Sequence, residues 1–405
     1  LSAADILLTL AIVAVLCVIT IAANYADRNH SRSARQSVFV ALLLINALIV
    51  MVYGVLQVTA AYSSAEDAPE KSDAWIALGV SVAMAAISSV LMLQPVRNWL
   101  ARLFPRRTEP PSSAISGTPA ALQAPDAGAS GTPLFPQMLN YYTAETREQT
   151  ARTQAWALPG LAPAPAARDG FDPASMVHVV ALVFVIYVLG NTVVNFVLGG
   201  GLSGVAEEYS TSGLSATDLL LNMLPFLILS VAGVGLGIRR TWRQVIDRLG
   251  LRLPTIEALG IGVGAAIGLI IFAALMGTLW QSLVSPETFE EQTKASDALS
   301  NSITTLGMAF LVAATAAVGE EIAFRGAMQP IFGFWPTAII FALTHVQYTL
   351  TPAALIILGV AVVFGWLRAH YNTTTAMLAH FLYNFIPLAL LVLMPDAALL
   401  LHLHP

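Results

Sequence analysis

Glu320 and Glu321 are adjacent, and Arg325 follows one helical turn later, inside a stretch that is otherwise almost wholly apolar. From residue 301 to residue 394 the only charged residues are Glu320, Glu321, Arg325 and Arg368, and the only histidines are His345, His370 and His380. An ionised side chain at mid-bilayer costs about 3 kcal/mol or more, so a cluster of this kind reads first as a functional site. Glu321 and Arg325 are four residues apart, as are Phe341 and His345, and His380 and Asn384; on a helix each pair projects from one face. Desolvation disfavours the charged form of a carboxylate and moves it toward the range of a general base. An arginine beside one of two neighbouring carboxylates keeps that one ionised, so the two can take different roles. One histidine can hold an attacking water, and a second, with a carboxamide, can stabilise a developing oxyanion. These groups together suit water-mediated peptide hydrolysis without a covalent intermediate.

The elements that must carry them are membrane helices. The chain has 405 residues, of which 57% are hydrophobic and 11% charged, with a mean hydropathy of +0.73. A soluble domain carries about 25% charged residues, so the expected class is an all-α polytopic membrane protein. A span needs about 20 apolar residues. Ten segments qualify: 6–23, 37–62, 75–93, 176–200, 217–238, 257–280, 301–324, 335–350, 353–369 and 375–394. Pro336, Pro352 and the short connections make one of the last four a candidate for a re-entrant segment. No basic patch suits nucleic acid and no glycine loop suits a nucleotide, so the expected partners are the lipid bilayer and a peptide or membrane-protein substrate.

Arginines cluster after the first, third and fifth spans: Arg28, Arg32 and Arg35; Arg97, Arg102, Arg106 and Arg107; Arg239, Arg240, Arg243, Arg248 and Arg252. The alternate loops are acidic, with Glu66, Asp67, Glu70 and Asp73, then Glu207 and Glu208, then Glu287, Glu290, Glu291 and Asp297. The positive-inside rule places the arginine loops in the cytoplasm, with both termini outside. Counting along the spans puts Glu320, His345 and His380 in the inner half of the membrane. The expected location is a bacterial cytoplasmic membrane, with the site toward the cytoplasmic side.

Residues 108–174 contain ten prolines and no apolar periodicity, a composition that reads as a cytoplasmic linker, with a short helix at 140–156. It divides an N-terminal three-span unit, 1–107, from a C-terminal unit, 175–395. The stretch 6–23 lacks the basic flank of a signal peptide and is expected to be a retained span. Cys17, the single cysteine, is expected to be a buried hydrophobe. Asn191 and Asn195 read as packing polars. Gly260, Gly262 and Gly264, and likewise Gly233, Gly235 and Gly237, read as close helix contacts.

Glu320-Glu321-Ile-Ala-Phe-Arg325, then Phe341-Ala-Leu-Thr-His345, then His380-Phe-Leu-Tyr-Asn384 resemble the three motifs EExxxR, FxxxH and HxxxN of the CPBP family. These are the CAAX proteases and bacteriocin-processing enzymes, glutamate-dependent intramembrane endopeptidases. The close match covers 301–394. The resemblance implies a CAAX-protease-like helical bundle in which Glu320 activates water with help from His345. It implies that Glu321 and Arg325 shape the site, and that His380 and Asn384 form an oxyanion pocket. Some members are described as metalloproteases; the expectation here is a metal-independent reaction, with zinc held by Glu and His as the alternative.

Three bland readings compete. Glu320, Glu321 and Arg325 can be a structural ion pair whose arginine snorkels to the interface, and Arg368 with His370 a cytoplasmic anchor. The Glu and His cluster can also serve as the relay of a proton-coupled transporter, which would bring repeat symmetry and broken helices. A non-catalytic binding scaffold is the third.

Overall fold

The computed structural model describes residues 3–65, 68–104, 170–345 and 353–394. The bulk of the expected linker, with its short helix at 140–156, lies outside them. Among the described residues every element is helical apart from one isolated bridge between Leu236 and Arg240. Nine helices among the described residues are long and apolar enough to cross a membrane. Packing follows the logic of lipid. Large residues such as Leu7, Leu44, Ile271 and Leu275 are exposed, whereas Ala23, Ala74, Ala77 and Ala313 are fully buried. Hydrocarbon gives Leu no reason to hide, and small residues let helix backbones approach.

The first part of the bundle holds α1 (Ala3–Asn29), α2 (Arg32–Ala61), α3 (Lys71–Leu91), the short α4 (Gln94–Leu103) and α5 (Met176–Leu198). Ile19, Leu42, Met84, Val180 and Tyr187 share one core, so α5 packs with the first three spans. Tyr187 joins it to α2 by donating to Asn46 Oδ1 at 2.8 Å. Cys17 is half-buried rather than buried. Residues 170–174, the end of the expected linker, are packed: Phe171 is fully buried and Pro173 O accepts from Arg97 at 2.8 Å.

The second part holds α6 (Gly201–Ser212), α7 (Ala216–Gly233), α8 (Trp242–Leu249), α9 (Ile256–Leu283), α10 (Pro286–Ser302), α11 (Leu306–Phe332), α12 (Phe334–Leu343), α13 (Ala353–His370) and α14 (Thr373–Leu393). The tenth expected span, 335–350, differs: α12 has ten residues, about 15 Å of helix, too short to cross. Its expected continuation at 346–350 lies outside the described residues. Of the glycines read as helix contacts, Gly262 meets α14 closely, with Leu378 Cδ2 3.2 Å and the Thr375 carbonyl oxygen 3.4 Å from where a Cβ would stand, and a Cβ at Gly235 would stand 2.7 Å from Asn24 Oδ1, while Gly260 and Gly264 face open space. Gly235 and Gly237 lie beyond the end of α7 at φ of 90° and 72°; they make a turn, for which a side chain is unfavourable.

Helix ends sort onto two sides. On the arginine side, Asp27 at the end of α1 accepts from Ser175 Oγ at 2.6 Å and from the backbone NH of Met176 at 2.7 Å, capping α5, and pairs with Arg239 at 3.6 Å. Asn24 donates to Ala232 O at 2.8 Å and Arg28 to Ile238 O at 2.7 Å. The arginine loop after α7 folds into α8, whose Val245 and Leu249 bury against Ile322 of α11. On the opposite side, α6 packs on α10, and Trp280 of α9 donates to Gln292 of α10 at 3.0 Å.

Candidate active site

Helix α11 is not uniform. From Glu321 to Met328 it widens into a π-helix, a form that concentrates at functional sites. Spacing in the sequence does not reveal it. The wider turn turns Glu321 and Arg325 inward: Glu321 is fully buried and Arg325 is 1% exposed. Arg325 therefore does not snorkel to an interface, and the ion pair of the bland reading forms inside the bundle instead.

Glu321 ties the two ends of the site together. Its Oε2 lies 3.3 Å from Arg325 Nε, and its Oε1 accepts from His380 Nδ1 at 3.0 Å. Arg325 donates from Nη2 to Ala361 O of α13 at 3.2 Å. Its guanidinium lies 4.3 Å from the Phe341 ring centre and 5.6 Å from that of Phe364. Such contacts contribute about 2 kcal/mol when desolvated. His380 stacks on Phe364, with ring centres 4.7 Å apart. Arg368 is not a free anchor: its Nε donates to Arg325 O at 3.1 Å and braces the π-helix from α13. Phe364, Ala361 and Arg368 are site residues that sequence reasoning missed, because a core phenylalanine, a backbone carbonyl and a helix-end arginine carry no motif. His370, by contrast, is exposed and stacks on Trp366.

Glu320, His345, His380 and Asn384 line one cavity of about 350 Å³, within the ~300–1,000 Å³ of ligand pockets. Glu321 and Arg325 do not line it; they stand behind His380. Glu320 is half-buried, and its Oε2 is buried with no hydrogen-bonding partner. His345, two residues past the end of α12, has its Nδ1 2.9 Å from Phe341 O. A carbonyl only accepts, so Nδ1 carries a proton and donates to it. Asn384 sits one turn from His380 on α14. His380 is about 10 Å from the arginine-side end of α14, and Asn384 about 16 Å. Thus three sequence segments, separated by tens of residues, present carboxylate, imidazole and carboxamide to one space. Among the described residues no three His, Cys, Asp or Glu side chains converge as metal ligands, and Glu321 is held by Arg325 and His380.

Residues 302–386 match the family described as Type II CAAX prenyl endopeptidase Rce1-like, which places this segment with the CAAX proteases that the three motifs resemble. No curated protein and no solved structure matches the chain.

Proposed function

We propose that this integral membrane protein is an intramembrane endopeptidase that hydrolyses a peptide bond by glutamate-activated water. The observation that carries the reading is the shared cavity, into which Glu320, His345, His380 and Asn384 all open, with a Glu320 oxygen left unpaired.

The roles follow from what each group already holds. Glu320 takes a proton from a water that also donates to His345 Nε2, and the water oxygen bonds to the carbonyl carbon of the substrate. The carbonyl electrons move to oxygen, and that oxyanion lies in a pocket formed by the Asn384 amide, which donates to it, and the His380 ring. Glu320 then passes its proton to the amide nitrogen, the C–N bond breaks, and a carboxylic acid and an amine result, which exchange a proton to leave as carboxylate and ammonium. Glu321 positions His380 through Nδ1, and Arg325 positions Glu321. No step is routed through a metal.

The substrate is a membrane-associated protein, a prenylated C-terminus or a leader peptide. The bundle sits in a bacterial cytoplasmic membrane with the arginine-rich helix ends inside, so the catalytic groups occupy the inner half. The test is membrane proteolysis with wild-type and Glu320→Gln protein, compared by peptide mass spectrometry. Substrates should accumulate uncut with the variant; equal cleavage by both would refute the assignment. The transporter alternative instead expects proton-coupled flux that Glu320→Asp retains.

A further inference from the structure

The π-helical turn of α11 ends against a proline. Gln329 donates its N–H to Phe324 O, five residues back, so the next carbonyl in that register, Arg325 O, looks to position 330. Pro330 has no N–H to give. The same lack deprives Gly326 O of the donor four residues on that an α-helix would supply. Two consecutive carbonyls of the helix that carries Glu320 thus lose a backbone partner to one residue. Arg325 and Gly326 are buried, and a buried carbonyl left without a donor is costly.

Two arginines from other helices supply the donors. Arg368 of α13 donates from Nε to Arg325 O at 3.1 Å, and Arg248 of α8 donates from Nη1 to Gly326 O at 3.1 Å. The local chain is shaped to bring them there. Gly326 lets the end of α8 lie directly on α11, since a Cβ would stand 3.1 Å from Leu249 O. Gly250, at φ of 70°, passes against Arg368, where a Cβ would stand 2.8 Å from Cζ; only glycine takes this backbone conformation without strain. Thr373, at the start of α14, ties the corner down. Its Oγ1 donates to Leu249 O at 2.5 Å and its N–H to Gly250 O at 3.0 Å.

We infer that Arg248 and Arg368 are positioning residues of the site: by replacing the donor that Pro330 lacks, they hold α11 in the register that turns Glu321 and Arg325 inward and leaves Glu320 on the cavity. Glu320 is the last residue of the α-helical part and Glu321 the first of the π-helical part. A return to the α-helical register is a slip of one residue between the two parts, a rotation of roughly 100°. Relative to Glu320, that rotation would swing Glu321 and Arg325 away from His380. Neither arginine lines the cavity, so each acts through α11. The inference deepens the proteolytic assignment and rests on it for the catalytic consequence; the register itself is a property of the fold.

The test uses the full-length protein in detergent. Arg248→Met and Arg368→Met keep an aliphatic stem and remove the donors, whereas Arg248→Lys and Arg368→Lys return one. Hydrogen exchange, read by mass spectrometry on peptides covering 321–332, should accelerate by roughly 10–100-fold in each methionine variant, the factor for one charge-assisted hydrogen bond, and by less in the lysine variants. Peptides from α1, α3 and α9 should exchange as in the wild type. Pro330→Ala returns the missing N–H, so adding it to Arg368→Met should slow exchange again. On the substrate that Glu320→Gln leaves uncut, each methionine variant should lower kcat by about 10²-fold, the cost of a ~1 Å misplacement, with KM unchanged and partial recovery by lysine. Unchanged exchange at 321–332, acceleration across the whole bundle, no slowing by Pro330→Ala, or full kcat despite faster exchange each overturns the proposal. If Glu320→Gln leaves nothing uncut, the proteolytic reading fails by itself, and exchange still decides the register.

Discussion

Glu321 and His380 are 59 residues apart in the chain and meet at 3.0 Å, carboxylate oxygen to ring Nδ1, in a fully buried contact. That contact divides the two adjacent glutamates: Glu321 faces inward, with Oε1 bonded to His380 and Oε2 3.3 Å from Arg325 Nε, whereas Glu320 lines the cavity.

Glu320→Gln and Glu321→Gln should therefore fail differently. The first removes the base and should lower kcat by about 10²–10⁴-fold with the unfolding temperature unchanged. The second weakens the clamp on Arg325 and His380 and should lower both activity and thermal stability in detergent. Identical profiles for the two variants would contradict the division of roles.

Asn384→Ala should lower kcat by about 10²–10³-fold, the loss typical of one oxyanion donor, while KM changes little. Steady-state kinetics on a purified substrate measure this. A rise in KM at constant kcat would instead mark Asn384 as a substrate-binding group.

Arg325→Met leaves Glu321 buried without its cationic partner. The expected loss is about 3–5 kcal/mol of stability, read by thermal or denaturant unfolding in detergent. Arg325→Lys should not restore it, because an ammonium cannot reach Glu321 Oε2 and Ala361 O together while stacking on Phe341. Full rescue by lysine would show that charge alone suffices.

Asp27 caps α5 and holds Arg239, far from the cavity. Asp27→Ala should cost about 1–2 kcal/mol, as for a lost helix cap, with kcat retained per folded molecule. A selective loss of kcat would tie this junction to catalysis.

Exhaustive chelation should leave proteolysis intact if water is activated by Glu320 alone. Loss on chelation that added zinc restores would favour the metal-dependent alternative.

The membrane class was legible because lipid imposes a compositional demand, about 20 apolar residues per span, that sequence displays directly. The six candidate residues were legible because ionisable groups stand out against apolar helices, and because four-residue spacing survives folding into a helix. α12 was less so: apolar residues from 335 onward satisfy hydropathy, yet a helix of ten residues ends before Thr344. The arginine loop after α7 read as loop because hydropathy does not register a short amphipathic helix packed by only two buried residues, Val245 and Leu249.

By itself the amino-acid order determined which groups could react and that helices would carry them. Only the tertiary structure decided which glutamate lines the cavity, because that depends on a π-helical turn at Glu321 and on a histidine from a distant helix. It likewise decided which residues share the cavity, since a void is bounded by several helices at once and leaves no periodic trace in any of them.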